Sequence, residues 1–180
     1  MVYLIINILY SCAGWKNIPV LDITILAMGF LLRILFGASV AGGIEVSNWL
    51  YLTVTSMAFW MGIGKRRNEL RKQRENANHT RKVLQYYTYS FLDKNMYMCM
   101  ALMIVFYSLW SVDSVTLANL STNKLVWSVP LVIVIAMKYS MELEKEGEGD
   151  PVEVLLHDKV LLGLGGIFAV FLSICIYWKI

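Results

Sequence analysis

Lys65, Arg66, Arg67 and Glu69 lie together in GKRRNEL (64–70), where a long apolar run gives way to polar residues. Clustered Lys and Arg suit phosphate or diphosphate, because arginine offers paired donors in one plane and lysine a compact charge. The same cluster also fits an ordinary basic collar where a helix leaves the bilayer. The residues themselves leave both readings standing. Glu69 falls four residues after Lys65, on the same helix face. There it could ligate a metal, orient Lys65, act as a base, or form a simple helix ion pair. Arg33 stands near the middle of the apolar run GFLLRILFGASVAG. A central Arg in a membrane span costs about 3 kcal/mol or more, so it is expected to face a polar cavity or a partner. Gly29, Arg33, Gly37 and Ala41 recur every four residues and share one helix face. Small residues let a neighbouring helix approach closely, so Arg33 is expected to point into a bundle. It would serve there as a substrate contact or as a packed charge with an acidic partner. Asp22 lies three turns earlier on nearly the same face, and Lys16 sits in a polar break with Asn17 and Pro19.

Other chemistries find little support. Cys12, Cys99 and Cys175 each sit alone in an apolar run, which reads as packing rather than a thiol site. His79 and His157 are isolated. No Walker A sequence, Ser-His-Asp arrangement or zinc spacing occurs. Glu142, Glu144, Glu146, Glu148 and Asp150 do not match an EF-hand loop and read as a solvated acidic stretch. Tyr86, Tyr87, Tyr89 and Phe91 read, for the most part, as interfacial anchors. A basic patch in a membrane loop is no nucleic-acid surface, so no nucleic-acid partner is expected.

The elements that must position these groups are membrane helices. The chain is 58% hydrophobic and 16% charged, with a mean hydropathy of +0.58. A soluble domain is closer to half apolar and a quarter charged. Apolar runs fall at about 20–42, 47–64, 96–112, 125–141 and 160–178, and a short one at 2–13 reads as the tail of a further span. The expected architecture is all-α: a single transmembrane domain over 1–180, with about six spans. A basic and aromatic loop covers 65–95 and an acidic one 142–159. With 65–95 inside, thirteen Lys and Arg lie on the inner side and two, Lys124 and Lys179, on the outer. That bias puts both loops in the cytoplasm and the protein in the cell membrane.

Five segments then carry a family likeness. YSCAGWKNIPVLD (10–22), ILAMGFLLRILFGASVAG (25–42), GKRRNEL, RKVLQYYTYSFLD (81–93) and GDPVEVLLHDKVLL (149–162) follow in order. Together they resemble UbiA-type intramembrane prenyltransferases, specifically the decaprenyl-phosphate phosphoribosyltransferase branch. The resemblance implies a nine-helix fold and transfer of 5-phosphoribose from phosphoribosyl diphosphate to a polyprenyl phosphate. It implies Mg²⁺ as cofactor, a role in supplying cell-wall polymers, and the membrane, both substrates and optionally a second copy (a homo-oligomer) as partners. By position, Lys65, Arg66 and Glu69 would be catalytic, and Lys16, Asp22 and Arg33 would bind substrate. The family's first motif, Asn-Asp-x-x-Asp-x-x-x-Asp, occurs nowhere in the chain. The chain therefore reads as the C-terminal two-thirds of such an enzyme, lacking the N-terminal helices and expected to be inactive alone. Rival readings are a UbiA-type enzyme with another acceptor, or a non-catalytic membrane protein or remnant.

Overall fold

The computed structural model describes residues 17–40, 47–75, 82–120, 122–144 and 158–177. Among these there is no strand. Six α-helices follow in order: α1 Leu21–Val40, α2 Asn48–Glu75, α3 Tyr89–Val112, α4 Ser114–Leu120, α5 Val129–Glu144 and α6 Lys159–Tyr177. Two 3₁₀ turns, Lys82–Tyr86 and Leu125–Ser128, lead into α3 and α5. A helix is the form in which an apolar segment satisfies its own backbone groups without water. Side chains follow suit, for Thr53, Ser108 and Ser173 each donate to a carbonyl one turn back, at 2.7–2.8 Å. Among the described residues four segments are long and apolar enough to cross a membrane: Leu21–Ala38, Tyr89–Val112, Leu125–Glu144 and Lys159–Ile176. The protein is thus a polytopic all-α membrane protein. The α2 helix falls outside that set because Thr, Ser and Tyr dilute its first half and charge fills its second.

The reading of 65–95 as a loop needs correction. The α2 helix continues to Glu75, and α3 already begins at Tyr89. Polarity marks where α2 leaves an apolar environment, not where its backbone stops. Lys, Arg, Glu, Leu and Gln are all good helix formers, and they carry α2 roughly 16 Å past Gly64. The connection at 113–124 likewise contains α4, whose first turn is capped by Asp113 through the amide and hydroxyl of Thr116. The apolar run at 2–13, Ala41, and most of the acidic stretch (145–157) lie outside the described residues.

The chain divides into two compact units. The first holds α1, α2 from Val54 onward, the 3₁₀ turn at Lys82 and α3 up to Met100. Its core is built from Ile23, Ala27 and Leu31 of α1, Ile63 and Leu70 of α2, and Leu84, Leu92 and Met96 beyond them. Gly62 lets α1 and α2 close. A Cβ there would lie 3.6 Å from Leu26 Cδ2 and 3.7 Å from Ile23 Cγ2. Among the described residues this face, and not the Gly29–Arg33–Gly37 face, is the one that packs. Among the described residues, a Cβ at Gly29 or Gly37 would meet nothing within 4 Å. Arg33 is exposed, with its guanidinium 5.8 Å from the Phe30 ring centre. The expectation that Arg33 points into the bundle therefore does not hold among the described residues. The physical reason is that Ile23, Ala27 and Leu31 bury more apolar surface than a glycine stripe offers.

The second unit holds Ser47–Thr53 and the chain from Ala101 onward. Tyr107, Trp110, Leu125 and Cys175 form its core, with Trp49, Phe168 and Leu172 packed around them. The Tyr107 hydroxyl is satisfied at 2.6 Å by Ser128. Lys138 binds Glu142 one turn on and Asp158 at 2.8 Å, tying the end of α5 to the start of α6. Asp158 also accepts from the Leu161 amide at 2.7 Å and so caps α6. Those donors, Lys138 first, hold its carboxyl well below the usual carboxylate range. Cys99 and Cys175, one in each unit, are buried free thiols.

Candidate functional site at the start of α1

The first unit brings Asp22, Arg66 and Glu69 together. The sequence Pro19-Val20-Leu21-Asp22 turns into α1 and leaves Asp22 in its first turn, where a carboxylate is favoured by the helix dipole. Asp22 is 0% exposed and Arg66 1%. Arg66 Nε donates to Asp22 Oδ2 at 2.6 Å, and its Nη1 donates to Glu69 Oε2, also at 2.6 Å. Glu69 sits one turn after Arg66 on the same face of α2, and its side chain is 29% exposed. Burial alone would lower the Arg66 pKa. The charges of Glu69 and then Asp22 outweigh it and hold the guanidinium above its ordinary value. Arg66 is therefore a fixed, permanent cation.

Tyr87 completes the arrangement from the other side. It follows the 3₁₀ turn Lys82–Tyr86 and is buried, with its ring stacked on Phe91 at 5.9 Å. Its hydroxyl donates to Asp22 Oδ1 at 2.6 Å and accepts from the Val20 amide at 2.6 Å. Burial, and then the bond to Asp22, push its pKa up. The interfacial-anchor reading fails for this one tyrosine, whereas Tyr86 is 63% exposed. Nothing in the local sequence announces the difference, because the partner of Tyr87 lies 65 residues away. A second ion pair, Arg67 with Asp93, joins α2 to α3. Asp93 belongs to the FLD segment but drew no notice in the sequence.

Arg66 is 1% exposed and turns Nε and Nη1 to the two carboxylates, so its fork is not presented to the surface. Lys65 is partly exposed, and Lys72 is exposed. Arg33 is eleven residues beyond Asp22, about 16 Å along α1, and is not part of this cluster. Lys16 lies outside the described residues. Among the described residues no group of three or more His, Cys, Asp or Glu is placed to hold a metal ion. Asp22 is buried with one oxygen on Arg66 and the other on Tyr87, which leaves neither for magnesium. Asn68 is buried with its Oδ1 unpaired among the described residues.

Fold and site thus define a multi-pass α-helical membrane protein with a buried acid–arginine–tyrosine cluster. No family model matches the chain. It is 34% identical to the decaprenyl-phosphate phosphoribosyltransferase of Corynebacterium glutamicum, over 97% of this chain and 53% of that protein. The protein of the same name from Mycolicibacterium smegmatis is 32% identical, over 89% of this chain and 52% of its own length. The Mycobacterium tuberculosis one is 27% identical over the same shares. The chain is homologous to the decaprenyl-phosphate phosphoribosyltransferases and spans about half the length of these curated relatives.

Proposed function

We propose that the chain serves a membrane transferase that moves 5-phosphoribose from phosphoribosyl diphosphate to a polyprenyl phosphate. The supporting observation is homology over nearly the whole chain to enzymes of that name, with the buried Asp22–Arg66–Glu69 cluster at its basic helix end. In this reaction a phosphate oxygen of the lipid bonds to C1 of the ribose, the C1–diphosphate bond breaks, and diphosphate leaves. A soluble donor and a lipid acceptor meet only at the membrane surface. The excess of Lys and Arg beyond Gly64 favours the cytoplasmic one. Lys65 is assigned to the departing diphosphate, whose developing charge a cation stabilises. Arg66 is assigned to holding Asp22 and Glu69, because its Nε and Nη1 donate to them and it is buried. The resemblance calls for Mg²⁺; among the described residues no group of three or more His, Cys, Asp or Glu is placed to hold it.

The test is diphosphate release by the full-length gene product, supplied with phosphoribosyl diphosphate and polyprenyl phosphate. Turnover in the unaltered protein, falling at least about tenfold in Lys65→Ala, is expected from loss of one charge-assisted contact of about 1.5–3 kcal/mol. Absence of turnover under any acceptor overturns the reading. An unaltered rate in Lys65→Ala overturns that assignment alone.

A further inference from the structure

Val20 has φ = 67°, a left-handed conformation that a β-branched residue adopts only under constraint. Its side chain is 52% exposed, so packing of that side chain does not hold the turn. What meets it is the Tyr87 hydroxyl, which accepts the Val20 amide at 2.6 Å. The same hydroxyl passes its proton toward Asp22 Oδ1 at 2.6 Å. Asp22 in turn holds Arg66 by its other oxygen, and Arg66 holds Glu69. The four side chains form one unbroken chain of charged and polar contacts. Asp22, Arg66 and Tyr87 are 0%, 1% and 6% exposed. Glu69 is the member that reaches the surface, at 29%.

We propose that Tyr87 is a positioning residue: through Asp22 and Arg66 it sets where the Glu69 carboxylate stands for the phosphoribosyl donor. Two donors from two elements, Tyr87 and Arg66, grip the two oxygens of Asp22, which fixes the plane of that carboxylate. Removing the hydroxyl leaves one buried oxygen without its donor, at a position closed to solvent, and frees the carboxylate to turn. Arg66 Nε follows Asp22, and Nη1 carries the displacement to Glu69. The surface end of the chain would present a carboxylate acceptor to the hydroxyls of a sugar. This consequence rests on the transferase reading, while the hold on Val20 does not.

The test uses Tyr87→Phe in the full-length gene product, since the Phe91 stack keeps the ring in place without the hydroxyl. Amide hydrogen exchange over residues 18–24 is expected to quicken at least about tenfold. Turnover is expected to fall at least about tenfold, with KM for phosphoribosyl diphosphate changed less than about threefold. The deciding measurement is a double-mutant cycle with Glu69→Gln. If Tyr87 acts through Glu69, the double variant loses no more than Glu69→Gln alone. Losses that multiply, or unaltered turnover in Tyr87→Phe, overturn the proposal. Should Tyr87→Phe fail to fold, Asp22→Asn takes its place in the same cycle, because Asp22 is the next link. If the unaltered protein shows no turnover, the transferase reading falls with the catalytic consequence. The exchange arm then still decides the hold on Val20, and unchanged exchange overturns it.

Discussion

Arg66 sits where solvent cannot stand in for either of its ion-pair partners, and that makes the loss of one partner expensive. Breaking a buried pair by deleting one side costs about 3–5 kcal/mol, because the other charge stays buried and uncompensated. In Asp22→Ala the guanidinium keeps Glu69, so a loss of about 3 kcal/mol, at the low end of that range, is expected. Unfolding in detergent by heat or denaturant measures it. Asp22→Ala combined with Arg66→Met removes both buried charges and leaves Glu69 at the surface, so most of the stability should return. A double variant as unstable as Asp22→Ala would show that the charge is not the cause. Tyr87 adds a pH dependence of definite sign. Its folded pKa is raised above the ordinary value of 10.0, first by burial and then by the bond to Asp22. The neutral hydroxyl is therefore favoured in the fold. Its contribution is complete below about pH 10 and is lost as pH rises from there toward the folded value. An alkaline series of unfolding measurements should fall more steeply above pH 10 in the unaltered protein than in Tyr87→Phe. Equal slopes would refute the shift.

At the scale of elements, Gly62 decides how closely α1 and α2 approach, and so whether Asp22 can reach Arg66. An added Cβ would sit 3.6–3.9 Å from Leu26 and Ile23, an ordinary contact distance. Gly62→Ala should therefore be tolerated, and even gain up to about 1 kcal/mol from helix propensity. Gly62→Leu places further carbons where Ile23 and Leu26 already stand and must push α1 away. Overpacking of this kind costs about 1–3 kcal/mol, and here it also stretches the Asp22–Arg66 pair. Thermal unfolding of the two variants should thus move in opposite directions, and equal losses would mean that the interface does not depend on this glycine. The sequence made much of these elements legible. The apolar runs at 20–42, 125–141 and 160–178 fall within two or three residues of α1, of the turn plus α5, and of α6, because membrane helices announce themselves by apolarity. The far end of α2 was hidden, since hydropathy reports the solvent of a helix and not its continuation. The packing face of α1 was also hidden, because a small-residue repeat and an aliphatic repeat run along the same helix, and only the neighbour chooses between them. For the site, Asp22, Arg66 and Glu69 stood out by charge. Tyr87 did not, because a tyrosine among tyrosines differs from its neighbours only by a partner far away in sequence.

For the whole molecule, the decisive asymmetry is that of charge along a surface otherwise unsuited to water. Only 11% of the α6 span is buried within the chain, and Phe36 and Trp127 are 72% and 73% exposed. Such faces need lipid or protein around them, since contiguous exposed apolar surface of this extent is foreign to soluble monomers. The expected orientation of the helices rests on Lys and Arg in the short connections. With the segment after Gly64 taken as inside, the sequence assigns thirteen Lys and Arg to the inner side and two, Lys124 and Lys179, to the outer. Acidic residues near Glu142 do not offset this, because the bias is set by the basic residues and not by net charge. The expectation is concrete at two exposed positions, Gln85 in the 3₁₀ turn before α3 and Asn123 before α5. In a protein whose Cys12, Cys99 and Cys175 are replaced by Ala, Asn123→Cys should react with a membrane-impermeant maleimide on intact cells. Gln85→Cys should react only after the cells are permeabilised. The reverse pattern would place the Asp22–Arg66–Glu69 cluster on the outer surface, away from any cytoplasmic phosphoribosyl donor, and would remove the physical basis for the transferase reading.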